Sequence, residues 1–479
     1  MRFPLRVLNT HFITTLPVIN RGTRYAIIVC FICMISFPMY VTAQSGCPVP
    51  QIRKYASGER TEGVLGEVLN ENNAIDGKPA TFSTLNALAV LGLTYARQYL
   101  NFDATVAAGT PVSVKIMYPS NLVGVGTAVT IQPFIYDSHH AEKAVGVSST
   151  IGDLLAVASG SGDMEVALTP KDAAGNPVAY DGVWVTLSGV LSIGVSMGIY
   201  DAWIMQPAPG NISCNQPIDV LAGIRAGGLS LLNATGSVDN KWLAIDDDPG
   251  LTTYAELNTG IKVLSEVFET VVFSTPSKAG DSIYIVLQDP GSGLLDLGLL
   301  TGFSIQPYLG NVAAGSPITN SGSLLSLRLL SGPGQKYVLS AAIPASFDRI
   351  DIKMGGLLGA LSSLRIYDVR MVAPLPTFSL NLNGLPNAGP ICLRDVGKLK
   401  FTITNTDPCA AYNWYSSDNT LLLANNPSLT PVITSAGTYT YYVEATRSGC
   451  NGNVKKRVPI TVTVVPIPGT PLLTIQLNP

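Results

Sequence analysis

Short apolar blocks, bounded by glycine, proline and polar turn residues, run through most of the chain, and one arrangement of them occurs twice. Residues 180–207 read YDGVWVTLSGVLSIGVSMGIYDAWIMQP, and residues 347–374 read FDRIDIKMGGLLGALSSLRIYDVRMVAP. They align without a gap at an offset of 167, with Asp181/Asp348, Gly189/Gly356, Leu191/Leu358, Ser196/Ser363, Ile199/Ile366, Tyr200/Tyr367, Asp201/Asp368 and Pro207/Pro374 identical. Alternation and short runs around glycines predict strand, turn, strand in each copy. The offset recurs in Cys47/Cys214, drifts to 174 where Ile131-Gln132-Pro133-Phe134 matches Ile305-Gln306-Pro307-Tyr308, and returns to 167. Most of the chain is therefore one domain written twice, with insertions confined to mid-domain loops. The stretches 85–102 and 257–273 are read as strands interrupted near a glycine. The leucine blocks 291–303 and 321–332 are read as buried strands, with amphipathic helices as the competing reading.

After the proline-spaced stretch at Pro374 and Pro376 the pattern changes. Residues 398–404, 412–417, 431–434, 438–446 and 459–465 are expected strands of a third, smaller sandwich, with Trp414 on a central strand. At the amino terminus, Arg2, Arg6, Arg21 and Arg24 precede an apolar run from Tyr25 to Val41, then Val41-Thr42-Ala43 offers small residues for cleavage. Residues 1–43 are thus an export signal. An uncleaved signal anchor is the competing reading, since the run nearly spans a bilayer. The chain ends on a linker-like stretch, 467–479, that reads as the start of a further module.

Composition narrows the function. Charged residues make up 13% and the formal net charge is −3, so there is no basic field for nucleic acid. The 46 glycines and 33 prolines suit many short strands joined by turns. Export would permit disulfides. Five cysteines follow the signal, so one is left over, and Cys392 is the expected odd one, with Cys47–Cys214 as one pairing. No nucleophile elbow, zinc-protease helix, phosphate loop or dinucleotide fingerprint is found. The Gly-Ser run 158–163 lacks a lysine and a following helix and reads as a loop. Adjacent His139 and His140 would point to opposite faces of a strand and chelate poorly, so they read as a solvated loop.

Both copies carry Ala-Ile-Asp, a proline, then Thr-aromatic: Asp76, Pro79, Thr81 and Phe82 in the first, Asp246, Pro249, Thr253 and Tyr254 in the second. This element resembles the loop near the start of discoidin-like, galactose-binding-like jelly rolls, although those families place Trp where Phe82 and Tyr254 stand. The resemblance implies a structural calcium ion held by Asp76 and Thr81, and by Asp246, Asp248 and Thr253, a donor set that suits a hard cation. The acidic run 246–248 favours the second copy. The third unit resembles the Ig-like modules of secreted and surface proteins of the Bacteroidota: Gly437-Thr438-Tyr439 is similar to the immunoglobulin tyrosine corner. Tyr441 stands where an antibody-type domain has its second core cysteine. Cys409 before the Trp414 strand and Cys450 after the Tyr439 strand fall at one end of such a sandwich, and a Cys409–Cys450 disulfide is expected.

The expected architecture is all-β: two tandem jelly-roll-type sandwiches, 44–207 and 214–376, followed by an immunoglobulin-like sandwich, 380–466. The expected function is non-enzymatic binding or adhesion at the cell surface or outside the cell. A glycan or a surface protein is the ligand, nucleic acid is not a partner, and no membrane span remains after signal cleavage. The alternatives are the accessory part of a secreted polysaccharide-degrading enzyme and a structural surface spacer.

Overall fold

A computed structural model describes residues 47, 49–88, 94–118, 129–150, 160–188, 194–226, 236–259, 265–290, 303–319, 325–330, 335–355, 363–452 and 456–469. The expected signal and the leucine block 291–302 lie outside them. Alternation places the core as anticipated: Val129 and Ile131 are fully buried while Thr130 and Gln132 are half-buried, and Ile283, Ile285 and Leu287 repeat this in the second copy. The stretches 85–102 and 257–273 contain the strands Ser83–Ala87, Tyr95–Val106, Ala255–Asn258 and Ser265–Phe273. Leu325–Leu329 in the second leucine block is also a strand.

Each copy is a sandwich of two antiparallel sheets. In the first, one sheet runs Gly66–Leu69, Ser83–Ala87, Val195–Pro207, Val112–Tyr118, Gly160–Leu168, and the facing sheet runs Gly58–Val64, Tyr95–Val106, Tyr180–Ser188, Val129–Tyr136, Glu142–Ala144. The second copy repeats the order, from Ser237–Asp239 to Leu325–Leu329 in one sheet and from Pro217–Ala226 to Val312–Ala313 in the other. Register repeats as well: Val185 pairs with Gln98 and Ile131, and Ile352, 167 residues on, pairs with Glu269 and Ile305. Asp181 and Asp348 close equivalent corners, accepting the backbone N–H of Tyr136 (2.7 Å) and of Gly310 (2.8 Å).

The copies are not beads on a string. The edge strand Gly160–Leu168 of the first pairs with the edge strand Pro217–Ala226 of the second, making one continuous twelve-stranded sheet. The Gly-Ser run expected as a loop is in fact where this ladder begins. The pairing covers only Gly160–Gly162 against Gly223–Arg225. It depends on glycine: a Cβ on Gly162 would meet Ala222 O at 2.4 Å, and one on Gly223 would meet Ser161 O at 2.3 Å. On its other edge each strand pairs with its own copy.

The join buries a charge cluster. Lys115 would lie on an outer face of the first sandwich, yet it is 1% exposed because the second copy covers it. Its ammonium donates to Asp219 Oδ1 (2.5 Å) and to the carbonyls of Pro79 (2.9 Å) and Val220 (3.2 Å). Arg53 donates to Asp219 Oδ2 at 2.7 Å and stacks 4.0 Å from the Trp203 ring centroid. Lys241 and Tyr200 both donate to Asp163 (2.5 and 2.7 Å). Burial is tolerable only because every partner is present.

In the third sandwich Trp414 is fully buried against Phe401, and Tyr441 packs on Phe401 in the place of the missing cysteine. The Tyr439 hydroxyl donates to Ser435 O at 3.0 Å, the expected corner. Residues 431–434, expected as a strand, are not part of one. This module docks on the second copy through Lys278–Asp407 (2.6 Å) and Arg447–Asp281 (2.5 Å), the latter carboxylate fully buried.

The disulfide at this contact corrects both the expected Cys409–Cys450 bridge and the Cys47–Cys214 pairing: Cys450 is joined to Cys214, across 236 residues. The linker between the copies lies along the module's end, where Ile212 N–H donates to Gly449 O (3.0 Å) and Asn451 N–H to Ile212 O (2.9 Å). That places Cys450 beside Cys214 rather than across its own sandwich. Cys47 and Cys409 are also disulfide-bonded, and Cys392 is the free cysteine among the described residues.

Substituting Asp219→Ala leaves Lys115 and Arg53 buried without their shared carboxylate. It is expected to destabilise the protein by about 3–5 kcal/mol, read as a lower urea midpoint relative to the unaltered chain.

Candidate functional site

The resemblance-based site residues come together in both copies. A 3-10 turn, Glu71–Ala74 or Lys241–Ala244, leads into each acidic loop. In the first copy Thr81 Oγ1 donates to Asp76 Oδ2 (2.8 Å), and Lys78 N–H donates to Asp76 Oδ1 (2.8 Å). In the second, Thr253 Oγ1 donates to Asp246 Oδ2 (2.6 Å) and lies 3.3 Å from Asp248 Oδ2. The aromatic after each threonine anchors its loop, since Phe82 packs edge-on to Tyr200 at 5.3 Å, and Tyr254 packs on Tyr367 at 5.2 Å. These contacts pin the loop to the strand bearing Asp201 or Asp368.

The residue that sequence reasoning did not place here is Asp201. It is 1% exposed, and neither carboxylate oxygen has a hydrogen-bond partner. Burial, then the neighbouring carboxylates of Asp76 and Asp219, push its pKa up to about 8, and the Gly77 backbone offsets part of this from beyond hydrogen-bonding geometry. Its recurrence as Asp368 was the available signal. A buried carboxylate without donors, beside the carboxylate of Asp76 that Thr81 contacts, is a donor set that would suit a hard cation in the first copy. Among the described residues no three His, Cys, Asp or Glu side chains gather for a metal. Hydroxyl and carbonyl oxygens would therefore have to complete the shell.

The second copy differs. Asp368 is ion-paired with Arg370 (2.6 Å), and the same guanidinium reaches Asp247 (2.9 Å). Asp248 is held well below the usual carboxylate range by the Thr252 hydroxyl and the N–H groups of Thr252 and Gly250. Its acidic run is a set of turn caps plus an internal cation, and it does not fit a metal. Trp203 occupies the position of Arg370 in the first copy, 167 residues earlier. His139 and His140 lie in a turn capped by Asp137, with His140 stacked on Tyr136 at 4.2 Å.

The second feature is a cleft of about 310 Å³ where the two strands of the joined sheet diverge. Both copies line it, including Met164, Glu165, Arg225, Tyr308, Arg349 and Lys353. Glu165 accepts from Arg349 (3.2 Å) and lies 3.6 Å from Arg53. Asp351, 1% exposed at its side chain, receives Arg225 (2.6 Å) and the Thr270 hydroxyl (2.9 Å).

Glu269, fully buried, has neither oxygen bonded, and burial pushes it up to about 8, partly countered by Lys241. It occupies the register position of Gln98, which donates to Glu71 O at 2.8 Å.

The family model described as Ig-like domain, CHU_C associated, matches residues 385–466. No curated protein sequence matches the chain. Among solved structures it is similar to a fucolectin from striped bass (Morone saxatilis) serum, at 11% identity over 67% of this chain and 99% of that one, TM-score 0.20. It is similar to the CBM32-1 and CBM32-2 domains of Clostridium perfringens ZmpB, at 10% identity over 67% and 94%, TM-score 0.21. It is also similar to allantoicase from Saccharomyces cerevisiae, at 10% identity over 65% and 92%, TM-score 0.21. Likenesses at this level do not decide between binding and catalysis. The all-β fold stands on the strands themselves, as two jelly-roll sandwiches and an Ig-like sandwich.

Because the folded-state pKa of Glu269 lies above an ordinary carboxyl's, its contribution is complete at acid pH and is lost as pH rises toward about 8. Glu269→Gln should therefore match the unaltered chain at or below about pH 4, where an ordinary Glu is protonated, and exceed it in stability at pH 8–9. Thermal midpoints across that range check this.

Proposed function

We propose that this chain is a non-enzymatic binding protein that works outside the cytoplasm and takes a glycan as its ligand. The observation that carries this reading is the cleft between the two sandwiches. It is lined by charged, polar and aromatic side chains from both copies, and it is held open by a buried charge cluster and a shared sheet. Its volume falls in the range of small-ligand clefts, about 300–1,000 Å³. Among the described residues the two carboxyl groups with strongly raised pKa, Asp201 and Glu269, are the candidates for acid catalysis. One faces an acidic loop and the other a sandwich core, and neither lines the cleft. Disulfides favour an oxidising compartment. No helix among the described residues is long and apolar enough to cross a membrane.

A structural calcium ion belongs to this reading in the first copy alone, held by Asp76, Thr81 and Asp201 with loop carbonyls. It would neutralise the paired carboxylates and fasten the loop to the sheet. Native mass spectrometry of the intact chain with calcium should find one ion. Asp201→Asn should abolish it, and Asp368→Asn should leave it. Two ions, or one that survives Asp201→Asn, would overturn the assignment.

The binding reading is tested by applying the intact chain to a glycan and polysaccharide array, with calcium and with chelator. Saturable binding to a defined glycan class is expected. Turnover of a bound polysaccharide would point to an enzyme instead, and silence on every glycan would leave a protein-binding adhesin or a spacer.

A further inference from the structure

One outer face of the repeat meets different fates in the two copies. In the second copy it carries Arg349 and Asp351 and turns toward the first copy, where Arg349 reaches Glu165 (3.2 Å). In the first copy the equivalent positions, 167 residues earlier, are Gly182 and Trp184. Val183, Val185 and Leu187 belong to the core, so Trp184 and Thr186 alternate onto the outer face. Directly opposite residues share that face. Trp184 lies between Tyr99 and Gln132, Tyr99 is opposite Arg60, Thr186 is opposite Arg97, and Arg97 is opposite Glu62. Arg60 is exposed, and Trp184, Arg97, Gln132 and Glu62 are half-buried, so this face meets solvent.

Its charges are already matched. Arg60 donates to Glu142 through Nε (2.8 Å) and Nη2 (3.1 Å). Glu62 accepts the hydroxyls of Tyr95 (2.6 Å) and Tyr99 (2.9 Å) and lies 3.8 Å from Arg97. Two cations thus answer two carboxylates, and Arg97 also donates to the Thr186 hydroxyl at 2.9 Å. In their midst the indole of Trp184 stacks on the fully buried Phe134 (5.8 Å, 17°) and packs on Tyr99 (5.1 Å). These neighbours fix the ring before any ligand arrives. The Trp184 N–H makes no hydrogen bond among the described residues. The Gln132 amide donates to the carbonyls of Pro133 and Val145, which leaves its own oxygen open as an acceptor.

We propose that this face of the first copy binds an uncharged saccharide, with a sugar ring lying against Trp184 and its hydroxyls bonding Gln132, Arg97 and Glu62. The proposal rests on the glycan reading above and adds a second place for the ligand, apart from the cleft. A pyranose presents a face of C–H groups that suits the electron-rich face of an indole, and a rim of hydroxyls that both donate and accept. Paired charges give those hydroxyls fixed partners without a net field, so an acidic sugar is not preferred. A second copy of the chain does not suit this face. Val64, opposite Tyr95, stands where Arg225 is opposite Glu266, and Gly182 stands where Arg349 lines the join.

The test is calorimetric titration of the intact chain with neutral cello-, manno- and galacto-oligosaccharides and with an acidic oligogalacturonate. The unaltered chain is compared with Trp184→Ala and with the cleft variant Tyr308→Ala. Hydroxyl-radical footprinting of the unaltered chain reads protection of Trp184 directly, so the result does not depend on a variant that folds. Binding of at least one neutral ligand is expected, unmoved by added salt, with Trp184 protected. Trp184→Ala should lower the affinity about tenfold or more, the scale for removing a tryptophan anchor. Two sites per chain that fall to one in either variant bear out the face and the cleft together. A single site lost only in Trp184→Ala keeps the face and overturns the cleft. Binding that leaves Trp184 unprotected and survives Trp184→Ala overturns the face, and its loss in Tyr308→Ala leaves the glycan reading standing. Preference for the oligogalacturonate overturns the uncharged class. Absence of binding to every probe overturns the face, and a silent array as well removes the glycan reading.

Discussion

The carboxylate of Asp219 is the point on which the architecture turns. It belongs to the second copy, is fully buried, and answers two cations of the first, Lys115 and Arg53. A charge in such a place is stable only with its partners at hydrogen-bonding distance. Ladder pairing between the copies covers three residues on each side, so backbone bonds alone would make a weak joint. The charge cluster supplies orientation: an ion pair of this kind has one geometry, and any rotation of one sandwich on the other would strand buried charge. The same constraint keeps the cleft open, because Asp163 and Glu165, on the strand that bears the ladder, are tied to Lys241 and Arg349 of the second copy.

The third sandwich is fixed by a related device at a second contact. Asp281 and Asp407 each receive a cation from across that boundary, and the Cys214–Cys450 bridge ties the module to the linker between the copies. Closing a loop of 236 residues constrains the unfolded chain strongly, by about 5 kcal/mol in the chain-entropy picture. The three sandwiches consequently present their surfaces in a set relation, which suits a binding protein more than a flexible tether.

Duplication kept the frame and changed the electrostatics. Asp181 and Asp348 do the same work at equivalent corners, and the aromatic pairs Phe82–Tyr200 and Tyr254–Tyr367 hold equivalent loops. Elsewhere one copy has chemistry that the other lacks. Lys115 lies opposite Asp201 where Val286 lies opposite Asp368. Gln98 is matched by Glu269, buried with no hydrogen-bond partner, and Trp203 by Arg370, whose guanidinium pairs with Asp368. These differences fall where the two copies meet or at the acidic loops, where Arg370 pairs with Asp368 in the second copy and Asp201 has no hydrogen-bond partner in the first.

What the sequence determined by itself was local and periodic. Alternation of apolar residues marked most strands, the 167-residue offset marked the duplication, and Trp414, Tyr439 and the odd Cys392 were each legible because neighbouring residues define their roles. The misses share one cause. The Gly-Ser run at 158–163 looked like a loop, since nothing nearby says that Gly223 will lie against it. Cys450 looked like the partner of Cys409, since the linker that carries Cys214 approaches only after docking. Asp246–Asp248 looked like the better metal site, since Arg370 is distant in sequence and adjacent in space. Secondary structure follows from periodicity within a few residues of the chain. Buried charge pairing, disulfide choice and the cleft depend on surfaces brought together from more than a hundred residues apart, and only the tertiary structure decides them.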